Sequence, residues 1–146
     1  MSNALNTAAL LEGIRLATLT AWGSIPISYG PPRVPITSLP YGVVTWNRVE
    51  VDRNGPGSTV GRNSQKNLFT ILGRFPFPAD PTEVIDLQKV NLANSLIAQL
   101  QTGPEFASIG LQPLVISVDS GETDRPSERA FEVTLTFEVF TVADHS

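Results

Sequence analysis

The chain has 146 residues, of which 41% are hydrophobic and 16% charged, with a net charge of -4. That length suits one domain, residues 1–146, whose core should hide roughly two-thirds of the extended chain's surface; the charge content is below the usual ~25% and suits long loops and protein-covered surface. The acidic balance gives no general case for nucleic acid, the absence of cysteine excludes disulfides, thiolate catalysis and cysteine zinc sites, and no apolar run approaches the ~20 residues of a membrane-spanning helix.

The opening MSNALNTAALLEGIRLA lacks a basic start, a long apolar segment and a clear cleavage site, so no signal peptide is predicted and assembly in the cytoplasm is expected. Residues 4–22 read as a helix. Leu11, Ile14, Thr18, Ala21 and Trp22 share a stripe that Leu10 and Ala17 widen. Glu12 and Arg15 can pair on its wetter side, and Gly23 is a natural stop.

Residues 24–41 carry prolines at 26, 31, 32, 35 and 40. These exclude a helix interior and a central strand, so the spacing predicts an extended arm with short strand-like pieces. YGVVTWNRVEV, from Tyr41, is a strand. Its core face is ambiguous, because Val44 and Trp46 compete with Val43 and Val49. Residues 52–67 contain Asn54-Gly55, Pro56-Gly57 and Gly61 and read as a long polar loop. It bears Arg53, Arg62 and Lys66, and it reads as a surface loop or, more sharply, as a contact arm.

LFTILGRFPF, residues 68–77, is the next strand, ended by Pro76 and Pro78. DPTE then predicts a helix start with Asp80 as cap, Pro81 at the first helical position and Glu83 at the third. That helix should run to about Gln101 and stop at Gly103-Pro104, with Leu87, Val90, Ala93 or Asn94, Ile97 and Leu100 inward and Val84 and Leu96 broadening the stripe. LVISVDS is a third strand with Leu114, Ile116 and Val118 inward, and SGETDRPSER is a polar hairpin loop. The last strand alternates strictly from Phe131 to Val139, with Glu132, Thr134, Thr136 and Glu138 opposite. Phe140 and Val142 then place apolar groups on the polar side. A bulge, an intrachain cover or another subunit would explain that switch.

The element order α-β-β-α-β-β predicts an α+β two-layer domain. Its sheet would be four-stranded and mostly antiparallel, with both helices packed on one face.

Chemistry is scarce. His145, the one histidine, lies next to the end, where a mobile terminus cannot hold catalytic or ligand geometry. Asp119, Glu122 and Asp124 miss the spacing of a calcium loop. Glu132 and Glu138 lie roughly 20 Å apart along one strand face, too far for paired carboxylate catalysis. GPGSTVGR lacks the lysine-serine pair of a phosphate loop. No catalytic, cofactor or metal residue is assigned. Trp22 and Trp46 read as core anchors. Charge is uneven, with six basic and two acidic residues from Arg33 to Arg74. Solvated charge spread by chance is the bland reading of this, and a bipolar subunit that rings or stacks with copies of itself is the sharper one.

Over residues 5–142 the order of elements, with SLPYGVV, NLFTILGRFPFP, PTEVIDLQKVNLANSLIAQL and AFEVTLTFEVFTV, resembles the tail terminator or tail-completion proteins of long-tailed bacteriophages. The resemblance implies a structural virion protein at the tail–neck junction. It would form a hexameric ring that caps the tail tube, ends its polymerisation and offers a docking face to the head connector. The implied partners are copies of itself, the tail-tube protein and a head–tail connector or neck protein, with no membrane, cofactor or sequence-specific nucleic acid. Tyr29, Pro31, Arg33 and Pro35 in the arm, Arg53, Arg62 and Lys66 in the loop, and Phe140 and Val142 in the last strand are the expected interface. A head-closure, connector or tube subunit is the related alternative. A small ligand-binding or enzymatic domain using a cleft near Trp46 is the alternative from another class.

Overall fold

The computed structural model describes residues 4–30, 39–52, 62–80, 82–103, 113–125 and 128–144. The first helix, α1 (Ala4–Trp22), has the predicted bounds. Leu10, Ile14, Ala17 and Trp22 are buried along it, and the buried Thr18 hydroxyl donates to the Ile14 carbonyl at 2.8 Å, so burial leaves it satisfied. Gly23 stops it at φ +85°, a conformation that favours glycine, with its N–H on the Leu19 carbonyl at 2.9 Å.

The sheet corrects the sequence reading. Among the described residues it has five strands, not four: β1 (Ile27–Tyr29), β2 (Tyr41–Asp52), β3 (Arg62–Pro76), β4 (Pro113–Arg125) and β5 (Glu128–Asp144), in the order β1-β2-β3-β5-β4. The extra strand is β1 (Ile27–Tyr29), inside the proline arm. It pairs parallel with the start of β2 (Tyr41–Asp52), so the sheet is mixed. Three residues between Pro26 and Gly30 give too short a pattern to read as a strand, and an edge position asks hydrogen bonds of one side only.

β3 (Arg62–Pro76) begins six residues before the predicted start. Arg62 to Asn67, read as loop, pair with β5 on one side, and Ser64 to Asn67 also pair with β2 on the other. Their polar side chains hid a segment that backbone pairing fixes. Likewise β4 (Pro113–Arg125) and β5 (Glu128–Asp144) extend through the predicted hairpin loop to the pair Arg125–Glu128.

The second helix, α2 (Ile85–Thr102), starts later than DPTE predicted. Asp80 makes a turn instead of a cap: its carboxylate accepts from the Thr82 N–H at 2.9 Å and from the Thr82 hydroxyl at 2.7 Å. The Gly103 stop is as expected, with its N–H on the Gln99 carbonyl at 3.0 Å. The buried stripe is Ala93, Leu96 and Leu100, while Leu87 and Val90 face solvent. The predicted face is therefore buried from Ala93 onward, with Ile97 packed against it, and is uncovered in the first half of the helix.

Both helices contribute to the core on one face of the sheet, where Val44, Phe69, Ile71, Phe131, Val133, Leu135, Phe137 and Val139 are buried with them. Phe69 stacks on Phe137 and Phe75 on Phe131, at centroid separations of 5.6 and 5.5 Å. Trp22 meets the edge of Phe75 at 5.3 Å and donates its indole N–H to the Leu92 carbonyl at 2.9 Å, which ties the end of α1 to α2. Gly73 makes room for this: a Cβ there would lie 2.5 Å from the Trp22 ring.

Candidate assembly interface

The change of phase in the last strand has a definite structural answer. β5 pairs with β3 in unbroken register from Ala130 to Asp144, so there is no bulge at Phe140. Phe140 therefore stays on the face of Glu132 and Glu138, away from the helices, and it is 48% exposed. Its register partner is Lys66. Val142 lies opposite Ser64, and Arg62 opposite Asp144. The extended ends of β3 and β5 thus bring Arg62, Lys66, Phe140 and Val142 into one short stretch of ladder.

Lys66 is not a free cation there. Its Nζ lies 2.9 Å from Glu50 Oε2 and 3.7 Å from Glu138 Oε2, and Arg48 lies 3.3 Å from the other Glu50 oxygen. The hydrogen bond between Lys66 and Glu50 holds the amine above and the carboxyl below their usual pKa ranges, with their mutual attraction adding to both. This cross-strand network borders Phe140 with charge on one side.

Tyr29 sits elsewhere, at the end of β1. It is half exposed, and its hydroxyl donates to the Leu11 carbonyl at 3.2 Å. Burial of part of the ring is the main cause that raises its phenol above the usual value. Pro31, Arg33, Pro35 and Arg53 lie outside the described residues.

Sequence reasoning missed a second apolar surface. Leu114, Ile116 and Val118 were expected inward but are exposed on the edge strand β4. A register shift between Val115 and Ser117 explains the error, because it breaks the period-two count. Leu114 pairs with Glu138 on the face away from the helices, whereas Val118 pairs with Leu135 on the helix side but beyond full cover. Beside it a groove of about 250 Å³ runs between α2 and the sheet, with Val90, Ala93, Ile97, Val118 and Val133 on its apolar side and polar residues, Lys89 and Asp119 among them, completing its lining. Lys89 bridges the two elements, 2.7 Å from Glu122 and 3.5 Å from Asp86. The hydrogen bond that Lys89 donates to Glu122 is the main cause that raises its amine above the ordinary value.

Trp46 is also out of place as a core anchor. It faces the helix side, opposite Phe69, but is 56% exposed because it lies at the margin of the packed layer. The shift that follows it, between Trp46 and Arg48, turns Arg48 to the other face. Among the described residues no group of three or more His, Cys, Asp or Glu side chains could hold a metal. No helix among them is long and apolar enough to cross a membrane.

No family profile and no curated protein matches the chain. Among solved structures it is similar to a protein whose name states no function, at 16% identity and a TM-score of 0.49, over 95% of this chain and 96% of that one. It is also similar to the sheath/tube terminator of an extracellular contractile injection system, PVC, in the extended state. That likeness has 15% identity and a TM-score of 0.46, and spans 92% of this chain but only 55% of the terminator. Neither likeness is close enough to carry a function across.

Proposed function

We propose that this chain is a structural subunit of a phage-type tail and not an enzyme. It forms a hexameric ring at the tail–neck junction, assembled in the host cytoplasm. The ring caps the tail tube, stops its growth and presents a docking face to a head connector. The observation that carries this reading is Phe140, held outward without a bulge on the face that is polar from Glu132 to Glu138. An exposed phenylalanine on a fixed ladder is suited to contact with another protein. The resemblance of the sequence to tail terminators, spread over residues 5–142, supports the same role. Residues 31–40 and 53–61 are proposed as further contacts with neighbours.

The test combines light scattering after size exclusion with a tube-end assay. A ring of six 15.7 kDa chains is expected, alone or on the ends of tubes grown from a phage tail-tube protein. Negative-stain images should show capped tubes that no longer elongate. Tubes that grow at an undiminished rate with the chain in excess would refute the capping role.

A further inference from the structure

Among the described residues the sheet has two edges that lack a partner strand, one at β2 and one at β4. β1 covers β2 only at Gly42, Val43 and Val44, so from Thr45 to Asp52 the far side of β2 has no partner strand among the described residues. At the opposite end of the sheet, β4 pairs with β5 and with no other strand among the described residues. Native edges are usually short, bulged or guarded by lysine. β4 has a bulge, but it is 13 residues long, carries no lysine, and exposes Leu114, Ile116 and Val118.

We infer that β4 of one copy pairs edge to edge with Thr45–Asp52 of β2 of the next copy, seating Trp46 in the groove between α2 and β4. This rests on the ring reading and gives that ring its joint. Three observations fit a second copy as the occupant. First, the faces match. Trp46 and the groove both lie on the helix side of their strands, so a sheet continued across the boundary brings them together. Second, the directions match. β3 runs antiparallel to β2, β5 to β3 and β4 to β5, so β4 opposes β2 within one chain. A copy rotated about an axis along the strands then offers β2 antiparallel to β4, the easier pairing. Third, the charges are complementary. The hairpin segment from Arg48 to Lys66 has four basic and two acidic residues, while α2 with β4 has four acidic and two basic. The contact joins different patches on the two copies, which is the type that closes into rings.

The absence of cysteine makes the test clean. Arg48 and Asp119 both lie on the face away from the helices, flanking the joint. Arg48→Cys and Asp119→Cys chains are mixed and treated with a short bis-maleimide, with circular dichroism confirming the fold of each. The mixture should give a cross-linked dimer that neither pool gives alone. Adding Trp46→Ser to the Arg48→Cys chain should lower its yield at least about tenfold, as expected for an aromatic anchor. Val118→Lys on the other chain should do the same from the groove side. Equal cross-linking within a single pool would mean a symmetric contact and overturn the joint. A ring by light scattering with no cross-link in the mixture would also overturn it and leave the ring reading standing. A chain that stays monomeric at every concentration would remove both.

Discussion

Gly73 is the position where one added methyl group should do most damage. A Cβ there would sit 2.5 Å from Trp22 Cζ3, 2.8 Å from Trp22 Cη2 and 2.7 Å from Phe75 Cε2. Carbon atoms prefer about 3.5–4.0 Å, so the indole must retreat by roughly 1 Å. It is not free to do so. Its N–H is bonded to the Leu92 carbonyl at 2.9 Å, and it packs on the edge of Phe75, which stacks in turn on Phe131. Overpacking costs about 1–3 kcal/mol, and loosening the indole hydrogen bond adds about 1 kcal/mol. Gly73→Ala should therefore cost about 2–4 kcal/mol, or roughly 5–15 °C in Tm for a domain of this size. Urea unfolding followed by far-UV circular dichroism measures the first number and a thermal melt the second. Trp22→Phe removes the clashing part of the ring. It should be destabilising by itself, yet Gly73→Ala should then cost little more, because the two positions share one contact. Additive effects, or a Gly73→Ala chain within about 0.5 kcal/mol of the parent, would refute the reasoning.

Phe140→Ser should weaken assembly while leaving a cooperative melt. The side chain is 48% exposed, so covering ~100 Å² of its ~200 Å² would contribute ~2.4 kcal/mol per contact, ~60-fold in Kd by light scattering. Unchanged assembly with intact fold would refute its contact role, and loss of fold would place it in intrachain packing. Lys89→Met should cost up to about 1 kcal/mol by detaching α2 from Glu122. The Lys89 amine is raised in the fold, so its contribution is complete below the unfolded value of about 10.4 and disappears as pH rises through the folded one. Urea titrations of parent and variant should differ at pH 8 and converge in stronger alkali. Asp80→Ala should lower Tm at neutral pH by opening the turn before α2. The Thr82 backbone N–H is the main cause that holds this carboxyl low. The advantage over alanine is therefore present above about pH 3.9 and is lost as pH falls through the folded-state value, which a series of acid melts would show.

Local patterns fixed much of this chain before any tertiary contact was known. The bounds of α1 follow from an apolar stripe and a glycine that stops it. The buried face of β5 follows from alternation sustained over nine residues, Phe131 to Val139. The scarcity of reacting groups follows from composition alone, since one histidine and no cysteine leave few nucleophile–base pairs possible. What depended on neighbours could not be read this way. Ile27–Tyr29 is a strand only because β2 lies beside it, and Arg62–Asn67 is a strand only because β5 and β2 hold its backbone. The bulge in β4 put Leu114 and Val118 on opposite faces, and the packed layer leaves both of them, with Leu87 and Val90 of α2, exposed. Alternation along one segment reports which residues share a side. Which side is covered, and where the cover ends, is decided by the position of the other layer. That is why Trp22 is buried, Trp46 is exposed, and the surfaces proposed for docking emerge only from the folded chain.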